Sequence, residues 1–182
     1  MSLRKKLFAS AAVLLLWVSI GVFAAEKSSS VPGLVSYNSP GTIDLSITGG
    51  ETWWGLGLNA GLEFTLGRFH LGAAPLSWGI TADASAGFGT GGTGIALAGL
   101  PTLNMGFDFG HDLRFEIFLG LGLGFVLETW SGGGSGLGLA EYGGVTWWFA
   151  NNIGLTLNDG YVYSPGWGNS WYFFGIGVTL KV

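Results

Sequence analysis

The sequence predicts an all-β chain, a single eight-stranded antiparallel up-and-down transmembrane β-barrel. Three observations carry that reading. The stretch Leu113 to Trp130, LRFEIFLGLGLGFVLETW, alternates with a period of two. Seven further segments after Pro40 alternate in the same way. The aromatic residues collect at the two ends of these segments rather than along them. In the first stretch Leu113, Phe115, Ile117, Leu119, Leu121, Leu123, Phe125 and Leu127 share one face. Arg114, Glu116, Phe118, Gly120, Gly122, Gly124, Val126 and Glu128 share the other. A helix is excluded, because each interior Gly costs about 0.8–1 kcal/mol relative to Ala. A soluble sheet seldom places eight large apolar side chains on one side of one strand, whereas a tilted membrane strand needs about 9–11 residues of this kind.

The chain opens with Arg4, Lys5 and Lys6, an apolar run from Leu7 to Val22, and Val22-Phe23-Ala24. This is the layout of a secretory signal peptide over residues 1–24. Residues 25–41, opening AEKSSSVPGLVSYNSP, are polar and proline-punctuated. They read as a periplasmic leader with little structure of its own, and residues 42–182 as the barrel. Cysteine is absent, so neither a lipid-anchoring cysteine nor a disulfide framework is available. The chain holds seven basic and eleven acidic residues; loss of the three signal cations leaves four against eleven, a net of −7. Such a balance argues against nucleic acid as a partner.

Parity assigns the strands in order. The first, about Thr42 to Gly50, sets Ile43, Leu45 and Ile47 against Asp44, Ser46 and Thr48. The second, Gly55 to Leu66, sets Leu56, Leu58, Leu62 and Phe64 against Asn59, Glu63 and Thr65. The third, Leu76 to Phe88, sets Trp78, Ile80 and Phe88 against Ser77, Thr81, Asp83 and Ser85. The fourth, Ala96 to Phe109, contains Pro101, which lacks a ladder donor and predicts a bulge or an interruption. The opening stretch is the fifth. The sixth, Leu137 to Phe149, and the seventh, Asn152 to Tyr163, place Glu141 and Asp159 on the greasy parity. Either these acids sit above the apolar band, or a bulge near Gly143-Gly144 flips the phase. The eighth runs from Trp171 to Val182.

An even strand number puts both ends in the periplasm. The outer loops are then Glu51 to Trp54, Gly89 to Ile95, Ser131 to Gly136 and Ser164 to Ser170. The periplasmic turns are Gly67 to Pro75, Gly110 to Asp112, and Ala150 to Asn151. Phe64, Phe69, Trp78, Phe107, Phe109, Phe115, Trp147 and Phe149 fall near the periplasmic ends. Trp53, Trp54, Phe88, Phe125, Trp130, Tyr161, Tyr163, Trp167 and Tyr172 fall near the outer ends. Two aromatic girdles are what a bilayer-spanning barrel requires. Parity also expects Leu121 to be intolerant of charge and Gly122, one residue on, to tolerate Ser.

The C-terminal FGIGVTLKV, with Gly177, Val178, Leu180 and Val182, resembles the closing strand of outer-membrane barrel proteins. That resemblance implies the barrel-insertion machinery as a partner; the terminal Val182 departs from the usual aromatic. Residues 42–182 resemble the small eight-stranded barrels OmpX, the OmpA barrel and OmpW. The resemblance implies a monomer held in outer-membrane lipid, in the outer membrane of a double-membrane bacterium.

Chemistry is sparse. The two histidines, His70 and His111, fall in predicted periplasmic turns, and His111-Asp112 has no serine nearby in sequence. Lipid A-modifying barrel enzymes such as PagL and PagP need His, Ser and an acid near the outer leaflet, so enzymatic activity is not expected. No spacing suggests a metal site, and no cofactor is expected. Gly87-Phe88-Gly89-Thr90-Gly91-Gly92 matches G-x-G-x-x-G, but Thr93-Gly94-Ile95 leads into a strand rather than a phosphate-binding helix. The inward parity carries the candidate lumen residues Asp44, Glu63, Asp83, Asp108, Arg114, Glu116, Glu128 and Lys181. A network plugging the interior is favoured, because eight strands leave a bore just wide enough for side chains. The many inward glycines leave a narrow path for small, including hydrophobic, solutes as the other reading. Outer loops of four to seven residues argue against an adhesin or receptor role.

Overall fold

The computed structural model describes residues 33–53, 55–90, 92–109, 113–129, 133–164 and 169–182. The expected signal peptide, Trp54, His111, Asp112, Trp130 and the segment 165–168 lie outside the described residues. The strands are β1 (Leu34–Val35), β2 (Ile43–Thr52), β3 (Gly55–Leu71), β4 (Ala74–Gly89), β5 (Gly92–Asp108), β6 (Arg114–Glu128), β7 (Ser135–Trp148), β8 (Ile153–Ser164) and β9 (Asn169–Lys181). From β2 to β9 each strand pairs antiparallel with its sequence neighbour, and β2 pairs with β9 to close the ring. This is the predicted eight-stranded up-and-down barrel. Closure leaves no strand edge exposed in the ring, the condition for a sheet to cross lipid.

The alternation decides which side chains point where. Leu121, Leu123, Leu137, Leu139, Ile47 and Ile176 are exposed on the outer wall, whereas Thr48, Thr65, Thr102, Thr156 and Asn158 are buried within. Glu141 and Asp159 keep the outward parity. The β7 ladder runs without a register shift against both β6 and β8 through Gly143 and Gly144, so no bulge flips them. Pro101 pairs with Ile80 of β4, but the β5–β6 ladder skips from Gly99–Leu123 to Thr102–Gly120. The proline therefore interrupts one ladder without inserting a residue. Stacked or edge-on contacts among Phe107, Phe109 and Phe115, and between Trp147 and Phe149, mark the girdle at the end carrying the termini. Trp53 and Tyr172, with ring centroids 5.4 Å apart, mark the opposite one.

Three expectations are corrected. The turn expected over Gly67 to Pro75 shrinks to Gly72-Ala73, because β3 and β4 continue as a protruding hairpin. Gly72 takes φ +61°, which lets the chain reverse in two residues. Leader residues 33–40 are not structureless: β1 pairs with Gly106 and Phe107, where β5 has run past its last partner in β4. Leu34 packs with Ala74, Leu76, Met105 and Phe107 in a small apolar cluster. Finally, a Cβ on Gly122 would lie 2.2 Å from the Gly99 carbonyl oxygen and 2.9 Å from the Leu100 Cα. The strand backbones meet too closely there for a side chain, so tolerance of Ser at 122 is not supported.

One inward glycine does have room. A Cβ on Gly160 would meet only Tyr142 Cδ2 at 3.5 Å and the Glu141 carbonyl oxygen at 3.8 Å. Urea unfolding of the chain in lipid vesicles should therefore rank three variants. Leu121→Arg should lose about 2–4 kcal/mol. Gly122→Ala should lose about 1–3 kcal/mol through backbone overpacking, and Gly160→Ala should stay close to wild type. Equal losses at 121 and 160 would overturn the outward and inward assignment.

Candidate functional site

The interior is built in layers, starting at the end where the chain enters the barrel. Asn38 is 1% exposed. Its Nδ2 donates to Asp44 Oδ2 and to Glu116 Oε1, each at 2.9 Å. Trp148 Nε1 donates to Glu116 Oε2 at 2.8 Å, and Lys181 Nζ lies 3.6 Å from the same oxygen. The Lys181 ammonium also sits 4.0 Å from the Trp148 ring centroid. Glu116 thus gathers an amide, an indole and an ammonium, the set that lets a buried carboxylate persist.

Above this hub the donors are neutral. Glu63 accepts from Asn104 Nδ2. Thr81 bonds Thr102 at 2.6 Å, and Thr156 bonds both Thr146 at 2.9 Å and Thr179 at 2.5 Å. Asp83 accepts from Asn59 Nδ2 at 2.7 Å. Asn158 Nδ2 donates to Asn59 Oδ1 at 3.1 Å and to the Tyr142 hydroxyl at 2.9 Å. Away from the termini the bore holds an apolar cluster that includes Ala96, Leu100, Val126, Ala140, Val162 and Trp171, and Phe118 joins it from the polar half. Phe173, 1% exposed, fills space beside Gly57 and Gly175.

Of the predicted lumen residues, Asp44, Glu116 and Lys181 meet in the hub around Asn38. Glu63 and Asp83 lie further in, each held by an asparagine. Asp108 and Arg114 pair across β5 and β6, and Arg114 Nη1 reaches Asn151 Oδ1 at 3.0 Å at the rim rather than the inner acids. Glu128 is buried near the opposite end of β6. Asn38, Asn59, Asn104 and Asn158 were not singled out as site residues. Inward parity was the available signal for the latter three; nothing in the local pattern marks Asn38.

The inner mouth is covered by the leader, and a β-bulge makes this possible. The β3–β4 register shifts between Thr65 and Gly67. Beyond the shift Arg68 falls opposite Ser77 on the inward parity. Arg68 Nε donates to the Asn38 carbonyl oxygen at 2.5 Å, and Nη2 to the Ser36 carbonyl oxygen at 3.1 Å and Ser39 Oγ at 3.0 Å. The Tyr37 hydroxyl donates to the Phe107 carbonyl oxygen at 2.8 Å. Burial, then the nearby Asp108 carboxylate, pushes this phenol up to about 12, so it remains a donor at neutral pH.

No protein family and no curated protein matches the sequence. Solved structures do. The outer membrane enzyme PagL superposes with a TM-score of 0.60 at 17% identity, covering 76% of this chain and 98% of that one. The N-terminal β-barrel domain of Pseudomonas aeruginosa OprF superposes with a TM-score of 0.55 at 13% identity, covering 80% and 100%. The fold is therefore that of the small eight-stranded outer-membrane β-barrels.

The leader contacts yield a test. Arg68→Ala and Asn38→Ala should each expose residues 33–40 to faster proteolysis and amide exchange, with heat-modifiable migration of the barrel retained. Asn38→Ala should also lose about 1–3 kcal/mol by leaving buried acceptors without a donor. Unchanged protection of residues 33–40 in both variants would overturn the anchoring of the leader by Arg68 and Asn38.

Proposed function

We propose that this protein is a non-conducting, non-enzymatic barrel of the bacterial outer membrane, a monomer whose interior is a structural seal. The carrying observation is the filled bore. Trp171, Phe173, Leu100 and Val126 are each at most 1% exposed, and the first three occupy space that inward glycines leave. The void bounded by Asp44, Glu63, Glu116, Phe118, Tyr142 and Trp148 has a volume of about 40 Å³. That is room for about one or two waters and not for a solute.

Two further observations support the reading. His70 is exposed at the hairpin end of β3 opposite Pro75, on the side of the barrel that carries the termini and away from the outer leaflet. β9 is paired along both β8 and β2, which suits a closing strand read by an insertion machinery.

The decisive measurement is planar-bilayer conductance of the refolded chain. Wild type should give no conductance step and no flux of small solutes; a reproducible ohmic step would overturn the seal. Lipid A from cells expressing the protein should keep its acylation pattern. A change that is lost on replacing His70 or His111 would overturn the non-enzymatic reading.

A further inference from the structure

The seam between β2 and β9 is the one ladder of the ring whose strands are not joined by a short connection. Its strands stand at opposite ends of the barrel sequence, so closing it costs more chain entropy than zipping a hairpin. The ring is therefore weakest there. The leader bears on this seam from both sides. Asn38 Nδ2 holds Asp44 of β2, and the Tyr37 ring centroid lies 5.8 Å from Lys181 Nζ of β9. A tight turn ties the leader to the start of β2. Thr42 N donates to the Ser39 carbonyl oxygen at 2.9 Å, Ser39 N donates to Thr42 Oγ1 at 3.1 Å, and Gly41 takes φ +90° between them.

The other holds of the leader are on the far wall. The same Asn38 Nδ2 donates to Glu116 of β6 at 2.9 Å, and the Tyr37 hydroxyl donates to the Phe107 carbonyl oxygen of β5. Gly106 makes room for the ring, since a Cβ there would lie 2.6 Å from Tyr37 Cδ2. In an open sheet β2 and β6 would stand four strands apart, about 19 Å. In the ring one amide nitrogen bonds a carboxylate on each. These holds coexist only when the ring is closed.

We propose that residues 33–40 are a latch on the β2–β9 seam: they dock on the closed ring alone and, once docked, keep it from opening. A segment that binds one of two states shifts the balance toward that state by its differential affinity. This one is tethered through Ser39 to Thr42, so it acts at high effective concentration. Arg68, with its three hydrogen bonds to Ser36, Asn38 and Ser39, sets how firmly the latch sits. The inference is independent of the filled bore, because a barrel could be latched whether or not it conducts.

Amide exchange of the folded chain in lipid vesicles, read strand by strand, tests it. Tyr37→Phe and Arg68→Ala each remove leader hydrogen bonds without touching either seam strand. Both should speed exchange of the β2 and β9 amides that bond across the seam by about five- to tenfold, the equivalent of one lost hydrogen bond. Exchange across the β6–β7 ladder should stay at the wild-type rate. Coupling of this kind runs in both directions. Gly177→Ala places a Cβ 2.0 Å from the Ile47 carbonyl oxygen and forces the seam apart. It should expose residues 33–40 to protease although every residue that holds the leader is intact. Gly144→Ala places a Cβ 2.3 Å from the Leu157 carbonyl oxygen, straining the β7–β8 ladder instead, and should leave the leader protected. Unchanged seam exchange in both leader variants, or equal speeding in every ladder, would overturn the latch. So would equal exposure of the leader in Gly177→Ala and Gly144→Ala; if Gly177→Ala does not fold, the exchange comparison decides alone.

Discussion

The ring closure between β2 and β9 is the constraint on which everything else rests. A sheet in hydrocarbon has no water to satisfy an open edge, and each unmet backbone group costs several kcal/mol. The first and last strands of the barrel therefore have to find each other across the whole chain. They do so from Asp44–Lys181 to Thr52–Phe173, and Ile43 and Val182 exchange both backbone hydrogen bonds at 3.2 and 2.8 Å. Pairing at that seam brings Asp44 and Lys181 side by side and aims Lys181 at Glu116 of the opposite wall.

Closure at eight strands also makes the interior narrow, and the side chains share it by a division of labour. The half near the termini is polar and solved with amides and hydroxyls more than with cations. Asparagine suits this place because its amide donates to a carboxylate and accepts from a neighbour without adding charge, as Asn59 does between Asp83 and Asn158. The half away from the termini is packed with Trp171, Phe173, Leu100 and Val126, with Glu128 buried near its rim. Glycines recur on the inner face because large rings crossing a narrow bore need a wall without side chains opposite them. Gly94 on β5 beneath Trp171 shows the pairing, and Gly175, two residues on in β9, leaves room for the Phe173 ring along its own strand.

Irregularities are placed where they serve this packing. The bulge at β3 turns Arg68 inward to hold the leader over the mouth. The break in the β5–β6 ladder at Leu100 and Pro101 lets the β5 backbone lean against Gly122, while Leu100 enters the core with no exposed surface.

Strand number, strand order and the facing of nearly every residue were legible in the sequence. A period of two is a local property that a bilayer outside and a packed bore inside both enforce. The filling of the interior was legible only as a preference, because alternation says that Trp171 and Gly94 both point inward but not that one fills the space left by the other. Asn38 was invisible for a related reason: it lies outside the alternating strands, and its two acceptors are 6 and 78 residues away. The opening stretch shows the same division. Its alternation alone made Leu121 and Gly122 an outward and an inward residue. That the Gly99 carbonyl stands 2.2 Å from where a Cβ at 122 would be was decided by the tertiary structure, since close approach of two backbones depends on how strands distant in sequence bend toward each other.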